Sequence, residues 1–425
     1  MDGKYTRGAM SVVGFEDALA EVLKHAVERR ARRGGASSES VPLLEAAGRV
    51  LAEPVLADRD QPPFDRATRD GFAVKAGDLS GGGSLRVIGQ VRAGEAWAGA
   101  AIAPGEAIEI MTGAPVPAGA DAVVMVEHVS AEGDTITLVA GRTAEAGQNI
   151  VARGSEARQG DAVVAAGSPV TAAEIALAAA CGRASLRVVA RPKVAILATG
   201  DELVEVGEVP GAMQIRNSNS YALAAMVEAA GGTPVRLEIA RDEREELWER
   251  IAQGRTWDLM LLSGGVSMGK YDLVEDVLAE FGAEFFFTGV TMQPGKPLVF
   301  GRLPERQFVS GFEPECYFFG LPGNPVSTQV TFHCFVEPFL RVISGEDAAG
   351  PKFAQATLAE DVAGRAGLTR VLPARILFDL KQPTVRLVRW HGSGDLAANA
   401  RANCYAVLPD GEEKRAGDVI TVLLR

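Results

Sequence analysis

The stretch "LLSGGVSMGKYD" (261–272) gathers seven residues whose types handle phosphate and metal: Ser263, Gly264, Gly265, Ser267, Gly269, Lys270 and Asp272. Glycines let backbone N–H groups approach phosphate oxygens closely, serine hydroxyls add donors, and a carboxylate is a hard ligand for Mg²⁺. Gly264, Gly269 and Lys270 even satisfy the start of a P-loop, G-x-x-x-x-G-K. A P-loop then needs Ser or Thr, whose hydroxyl binds the magnesium, and the residue here is Tyr271. The P-loop reading fails on that residue. Asp272, next along, is the better metal ligand.

Three other loops carry similar chemistry: Ala198-Thr199-Gly200-Asp201-Glu202, Gln293-Pro294-Gly295-Lys296-Pro297, and Leu321-Pro322-Gly323-Asn324-Pro325-Val326-Ser327. Singly, each reads as a turn with solvated charges. Together they offer backbone donors, the hydroxyls of Ser263 and Ser327, a lysine able to neutralise an oxyanion, and the oxygen ligands Asp201, Glu202 and Asp272.

What would bring them together is the rhythm of residues 192–345, where apolar runs alternate with helical patterns. "KVAILATG" is a strand and "NSNSYALAAMVEAAGG" a helix; "TPVRLEIA" is a strand and "DEREELWERIAQG" a helix. "DLMLLSGG" and its helix, "AEFFFTGVTM", "LVFGRL", "CYFFGLPG" and the helix "STQVTFHCFVEPFLRVI" follow. This order predicts a three-layer α/β domain with a mostly parallel sheet, whose carboxyl edge is where such sheets bind ligands.

Around it, residues 51–144 and 350–425 show short β-type runs between Gly, Pro and Asp turns, predicting two small β domains. Residues 11–50 and 145–190 are expected to form a discontinuous linker domain, with one helix over 13–33 and another capped by Thr171 and stopped by Gly182. The α/β domain is bounded at 191–346. At 425 residues, two to four domains are expected.

A net charge of −12 argues against non-specific nucleic-acid binding, which needs a basic surface. It leaves room for a small anion held by a local cluster of donors. Cys181, Cys316, Cys334 and Cys404 are scattered without C-x-x-C spacing, so buried thiols are expected rather than zinc or disulfides. His25, His128, His333 and His391 show no ligand spacing. With no apolar leader and no apolar run near 18 residues, the expectation is cytoplasmic.

In their order, "TGDEL", "LLSGGVSMGKYD", "QPGKPLVFG" and "GLPGNPVS" resemble the molybdenum-cofactor-binding domain of two families, the molybdopterin molybdenumtransferases and the molybdopterin adenylyltransferases. The N-terminal half selects the first. "PPFDRATRDGFAV" (62–74) and "IMTGAPVPAGADAVVMVE" (110–127) resemble motifs of the molybdenumtransferases, gephyrin's E domain included, and "GQNIVARGSEARQGD" (147–161) is a looser likeness.

The resemblance implies an elongated, multidomain homodimer that joins adenylylated molybdopterin to molybdate with Mg²⁺, releasing AMP and molybdenum cofactor. It implies catalytic roles for Asp65, Glu202, Asp258, Asp272 and Lys296. Thr199, Gly200, Asp201, Ser218, Asn219, Ser263, Gly264, Gly265 and Ser267 would hold the nucleotide and pterin end. Pro322, Gly323 and Asn324 would also bind the cofactor, and the anion end would fall to Lys296, Pro297 and Ser327, with Arg370 a candidate. Asp201, Glu202 and Asp272 would hold the metal. Asp65, Asp70 and Thr112 would act across the dimer interface, although turn-capping near Gly71 also explains the two acids. Partners would include the adenylyltransferase that supplies the substrate and the molybdoenzymes that receive the product, with no nucleic acid or membrane.

Two departures stand out. Gln293 stands where the family often has lysine, so the anion site is expected to carry one positive charge fewer. Ala397 or Ala398 stands where a hydroxyl is expected. Two other readings are an adenylyltransferase or nucleotide hydrolase on the same α/β domain, and a non-catalytic cofactor-binding scaffold.

Overall fold

The computed structural model describes residues 11–32, 37–265, 273–308, 311–347 and 350–425. Its centre is a six-stranded sheet flanked by helices. The elements used below are helix α1 (Phe15–Arg32), strand β1 (Lys193–Ala198), α2 (Asn219–Ala229), β2 (Thr233–Arg236), α3 (Arg244–Gly254), β3 (Leu259–Ser263), α4 (Leu273–Glu280), β4 (Glu284–Phe287), β5 (Val299–Leu303), β6 (Cys316–Leu321) and α5 (Pro325–Thr331). A π-helical turn, Phe332–Val336, joins α5 to a last helix, Glu337–Ile343.

The strand order is β2-β1-β3-β6-β5-β4. The first four run parallel, whereas β5 is antiparallel to both neighbours. The period-2 geometry of strands sends alternate residues to opposite faces. Val194, Ile196, Leu259 and Leu261 accordingly pack on one side with Leu223 and Val227 of α2 and with Phe335 and Phe339. Ala195, Leu197, Met260 and Leu262 pack on the other with Leu247 and Ile251 of α3 and Val274 and Val277 of α4. Both faces are covered, so these strands read as continuous apolar runs.

Helix α1 was grouped by sequence with the linker domain. It packs instead on the α/β core: Phe15, Ala18, Val22 and Ala26 join the cluster of Phe335 and Phe339. Its Arg29 reaches Glu315 and Asp258, and His25 stacks on Phe286 with ring centroids 3.7 Å apart. A period-3.6 stripe says which residues are apolar but not which core they meet.

In the N-terminal half, a six-stranded sheet spans Gly71–Val74 to Thr135–Leu138, with its own core around Phe72, Leu85 and Val124. The chain enters and leaves it through paired segments: Arg66–Ala67 with Ile150–Val151, Val55–Leu56 with Ala162–Val164, and Ser38–Pro42 with Ser185–Val189. The expected capped helix is Ala172–Ala180, with Thr171 and Glu174 forming a reciprocal capping box and Gly182 at φ +72° beyond its end. C-terminal strands from Phe353 to Leu424 close into a ring when Thr369–Leu377 pairs with Cys404–Leu408, and Met292–Gln293 adds to its side. The four cysteines are buried and free. Among the described residues, no helix is long and apolar enough to cross a membrane.

Candidate active site

Register places three strand ends side by side. Ala198 pairs with Ser263, and Ser263 pairs with Leu321. Three of the four glycine-bearing loops therefore start from one point at the carboxyl edge of the sheet. Their close approach requires glycine at two positions. A Cβ on Gly264, whose φ is +95°, would lie 2.4 Å from the Thr199 carbonyl oxygen; one on Gly265, at φ +63°, would lie 2.7 Å from Thr199 Oγ1. A contact of 2.4 Å against backbone cannot be relieved by turning a side chain.

One amide ties these loops together. Asn219, the first residue of α2, donates from Nδ2 to Ser263 Oγ at 2.8 Å and to the Gly323 carbonyl at 2.7 Å. The Thr199 N–H donates to the Ser263 carbonyl at 3.0 Å, and the buried Thr199 Oγ1 has no hydrogen-bond partner among the described residues.

Between the loops lies a cavity of about 730 Å³. From the sequence-derived set, Thr199, Gly200, Glu202, Ser218, Asn219, Ser263, Gly264, Gly265, Gly323 and Asn324 line it. Asp201 stands beside it and accepts from the Asp242 N–H at 3.3 Å. Pro322 and Ser327 lie behind the wall: the Pro322 carbonyl accepts from Thr328 Oγ1 at 2.6 Å, and Ser327 is buried in the first turn of α5. Ser267 and Asp272 lie outside the described residues.

Asp242, which sequence reasoning missed, also lines the cavity. Partial burial, then the charges of Asp201 and Glu202, push its carboxyl above the usual carboxylate range. It follows the run "TPVRLEIA", so a carboxyl-edge argument applied to every strand would have found it. Gly394 and Leu396 of the C-terminal domain line the cavity too, and the Ser393 carbonyl accepts from the Val326 N–H at 2.9 Å. Ala398 is fully buried in the short helix Leu396–Arg401, which Asp395 caps, whereas Ala397 is exposed.

Other expected residues sit elsewhere. Asp258 is a correction: it lies at the amino end of β3, opposite the cavity, and accepts from the Lys193 N–H at 2.9 Å and from Arg29 at 3.4 Å. There it anchors β1 and α1. The loop bearing Lys296 and Pro297 follows β4 toward β5 and does not line the cavity; Lys296 is exposed and its carbonyl accepts from the Val290 N–H. Gln293 pairs in register with Arg370 of the C-terminal domain.

Asp65 and Asp70 lie in the N-terminal half, both exposed. Asp65 Oδ1 accepts from the Arg153 N–H at 2.8 Å. Asp70 Oδ1 accepts from Thr112 N at 2.6 Å and from its hydroxyl at 2.7 Å, and these bonds hold its carboxyl below the usual range. Within this chain, both acids order turns.

Comparison with known proteins finds matches over most of the chain. Residues 13–182 match the MoeA N-terminal region (domain I and II), 195–342 a probable molybdopterin binding domain, and 355–424 the MoeA C-terminal region (domain IV). A molybdopterin molybdenumtransferase from a Nostoc species is 35% identical over 384 residues, 88% of this chain and 86% of that protein. One from Staphylococcus aureus is 32% identical over 395 residues, 91% of this chain and 90% of that protein. The crystal structure of the molybdopterin biosynthesis MoeA protein from Pyrococcus horikoshii superposes with a TM-score of 0.78 at 29% identity, covering 97% of this chain and 100% of that one. The chain belongs to the MoeA family.

Proposed function

We propose that this protein is a molybdopterin molybdenumtransferase, converting adenylylated molybdopterin and molybdate to molybdenum cofactor and AMP. The observation that carries the reading is the cavity at the ends of β1, β3 and β6, walled by glycine backbone and stapled by Asn219. Its volume of about 730 Å³ is in the range of sites that enclose a nucleotide-sized ligand. Gly264 and Gly265 leave backbone open to phosphate, and Ser263 and Asn219 supply polar contacts beside it.

Among the described residues no three acids, histidines or cysteines converge tightly enough to hold a metal alone. Partial burial, and then the charges of Asp201 and Glu202, raise the Asp242 pKa, so these three acids feel one another at the cavity wall. Oxygen donors of this kind fit Mg²⁺, which Glu202, Asp201 and Asp242 would hold together with Asp272. When bound, the ion would neutralise charge on the phosphoanhydride oxygens. The chain's own residues bind and orient: the glycine loops hold the diphosphate, Asn219 fixes their spacing, and Lys296 draws the oxyanion.

The protein acts as a homodimer whose cleft is completed by the partner's exposed Asp65 and Asp70. The motive is that neither acid lines the cavity of its own chain. Mixing Asp65→Asn protein with Glu202→Gln protein, each inactive, then restores activity through mixed dimers; full activity in a monomer removes this part of the reading. Incubation with adenylylated molybdopterin, molybdate and Mg²⁺ releases AMP, whereas incubation with ATP and molybdopterin consumes no ATP. The opposite result makes the protein an adenylyltransferase.

A further inference from the structure

A second cavity, of about 220 Å³, opens where the linker segments, the end of α2 and the last helix meet. It shares no lining residue with the first. Gly345, at φ +106°, closes the junction: a Cβ there would lie 2.9 Å from Val189 Cγ2 and 3.1 Å from Val50 Cγ1. One on Gly231, just past α2, would lie 3.8 Å from Ser344 Oγ. Arg49 reaches the same point, its Nη2 donating to the Val189 carbonyl at 2.8 Å.

Arg49, Arg191, Arg341 and Lys352 stand on the wall against only two acids, Glu337 and Glu346. Both acids are committed. Glu337 bonds His333 at 2.7 Å and Lys352 at 2.7 Å. Glu346 takes Arg341 through both oxygens, at 2.6 Å for the shortest contact. Arg49 pairs with Glu39, which does not line the cavity, at 2.5 Å. Arg191 is left over: it has no ion pair among the described residues, and its Nε is buried without a hydrogen-bond partner. Ser344 Oγ is buried and unpartnered as well.

Buried donors without partners are costly, and an unneutralised guanidinium favours an anion beside it. Its planar fork suits an oxyanion through paired N–H bonds. The volume narrows the class. It falls below the roughly 300 Å³ at which pockets begin to enclose drug-sized molecules, so one small oxyanion fits where a nucleotide does not. We propose that this cavity binds a small oxyanion of the phosphate type, held by Arg191 with Ser344 donating to it and Arg49 adding charge. The bound anion ties the linker segments, which carry Arg49 and Arg191, to the last helix, which Ser344 ends. The site is independent of the transferase reading.

The test is titration of inorganic phosphate at constant ionic strength into wild type, Arg191→Gln, Arg191→Lys and Ser344→Ala. Calorimetry gives Kd and hydrogen exchange gives the location. Wild type is expected to bind saturably, and Arg191→Gln to raise Kd about tenfold or more. Arg191→Lys keeps the charge but loses the fork, so its Kd should fall between the two, and Ser344→Ala should cost about threefold. Phosphate should slow exchange in segments 48–50, 189–191 and 344–346 of wild type, and not in Arg191→Gln. Should Arg191→Gln fail to fold, the other two variants carry the comparison. Unchanged Kd in the Arg191 and Ser344 variants overturns the proposal, as does the absence of saturable binding by wild type. So does protection confined to segments 199–203 and 263–265, which would seat the phosphate in the first cavity.

Discussion

Asn219 and Ser263, 44 positions apart in sequence, are joined by a 2.8 Å hydrogen bond from the amide nitrogen to the hydroxyl, and the same nitrogen reaches the Gly323 carbonyl. One side chain thus sets the spacing of two loops around the cavity. Asn219→Ala removes both bonds and is expected to raise KM for the adenylylated substrate at least tenfold, while costing ~1–2 kcal/mol of stability. Asn219→Asp keeps the shape, loses the donors and should be no better. Steady-state kinetics and urea unfolding check both.

Gly264→Ala tests whether the loop needs glycine for space. The added methyl would meet the Thr199 carbonyl oxygen at 2.4 Å, on a backbone at φ +95°. A loss of at least ~2 kcal/mol is expected, with AMP release falling sharply. Gly77→Ala is the control, since a Cβ there meets nothing within 4 Å and needs no positive φ. Equal stability of the two variants would mean that the loop accommodates a side chain.

Asp242→Asn should separate stability from activity. Burial and the neighbouring Asp201 and Glu202 raise the Asp242 pKa above its ordinary 3.8. A raised folded pKa contributes stability that is present below the unfolded pKa and lost as pH rises through the folded one. Removing the charge should therefore stabilise the protein at pH 7, by at most ~1 kcal/mol because the carboxyl is exposed and screened. That gain should vanish below about pH 4. Activity should fall at least tenfold. Thermal unfolding at pH 3.5 and 7 gives the first comparison.

Glu337 supplies a prediction of the opposite sign. Burial opposes its ionisation, yet bonds with His333 at 2.7 Å and Lys352 at 2.7 Å hold its carboxyl down to about 2 from an ordinary 4.5. A depressed folded pKa contributes stability that is present above about pH 4.5 and lost as pH falls toward 2. That contribution is ~3 kcal/mol when fully developed. Lys352→Met should flatten the acid limb of a plot of Tm against pH, and an unchanged limb would show that this carboxylate does not couple to folding.

Much of this was legible because strand periodicity and loop chemistry are local. "VAIL", "LMLLS" and "CYFFGL" predicted strands, and the loops after them predicted where a ligand would lie. The long-range pairings were less visible. Nothing in "GFEDALAEVLK" says that Phe15 meets Phe335, which is a matter of which apolar surface is left uncovered. Asp258 entered the catalytic set through the family resemblance, not through any feature of its own neighbourhood. Only direction along β3 shows that it faces the wrong edge. Nor does anything around Gln293 in the sequence reveal that its Oε1 accepts a hydrogen bond from Arg365, 72 residues away.

The most direct measurement follows AMP release and molybdenum incorporation together, in one reaction with adenylylated molybdopterin, Mg²⁺ and varied molybdate. The account predicts one AMP per molybdenum incorporated, negligible AMP without molybdate, both products falling together in Asn219→Ala at subsaturating substrate, and loss of both in Glu202→Gln. AMP released at full rate without molybdate would contradict it, since the cavity would then belong to a nucleotide hydrolase.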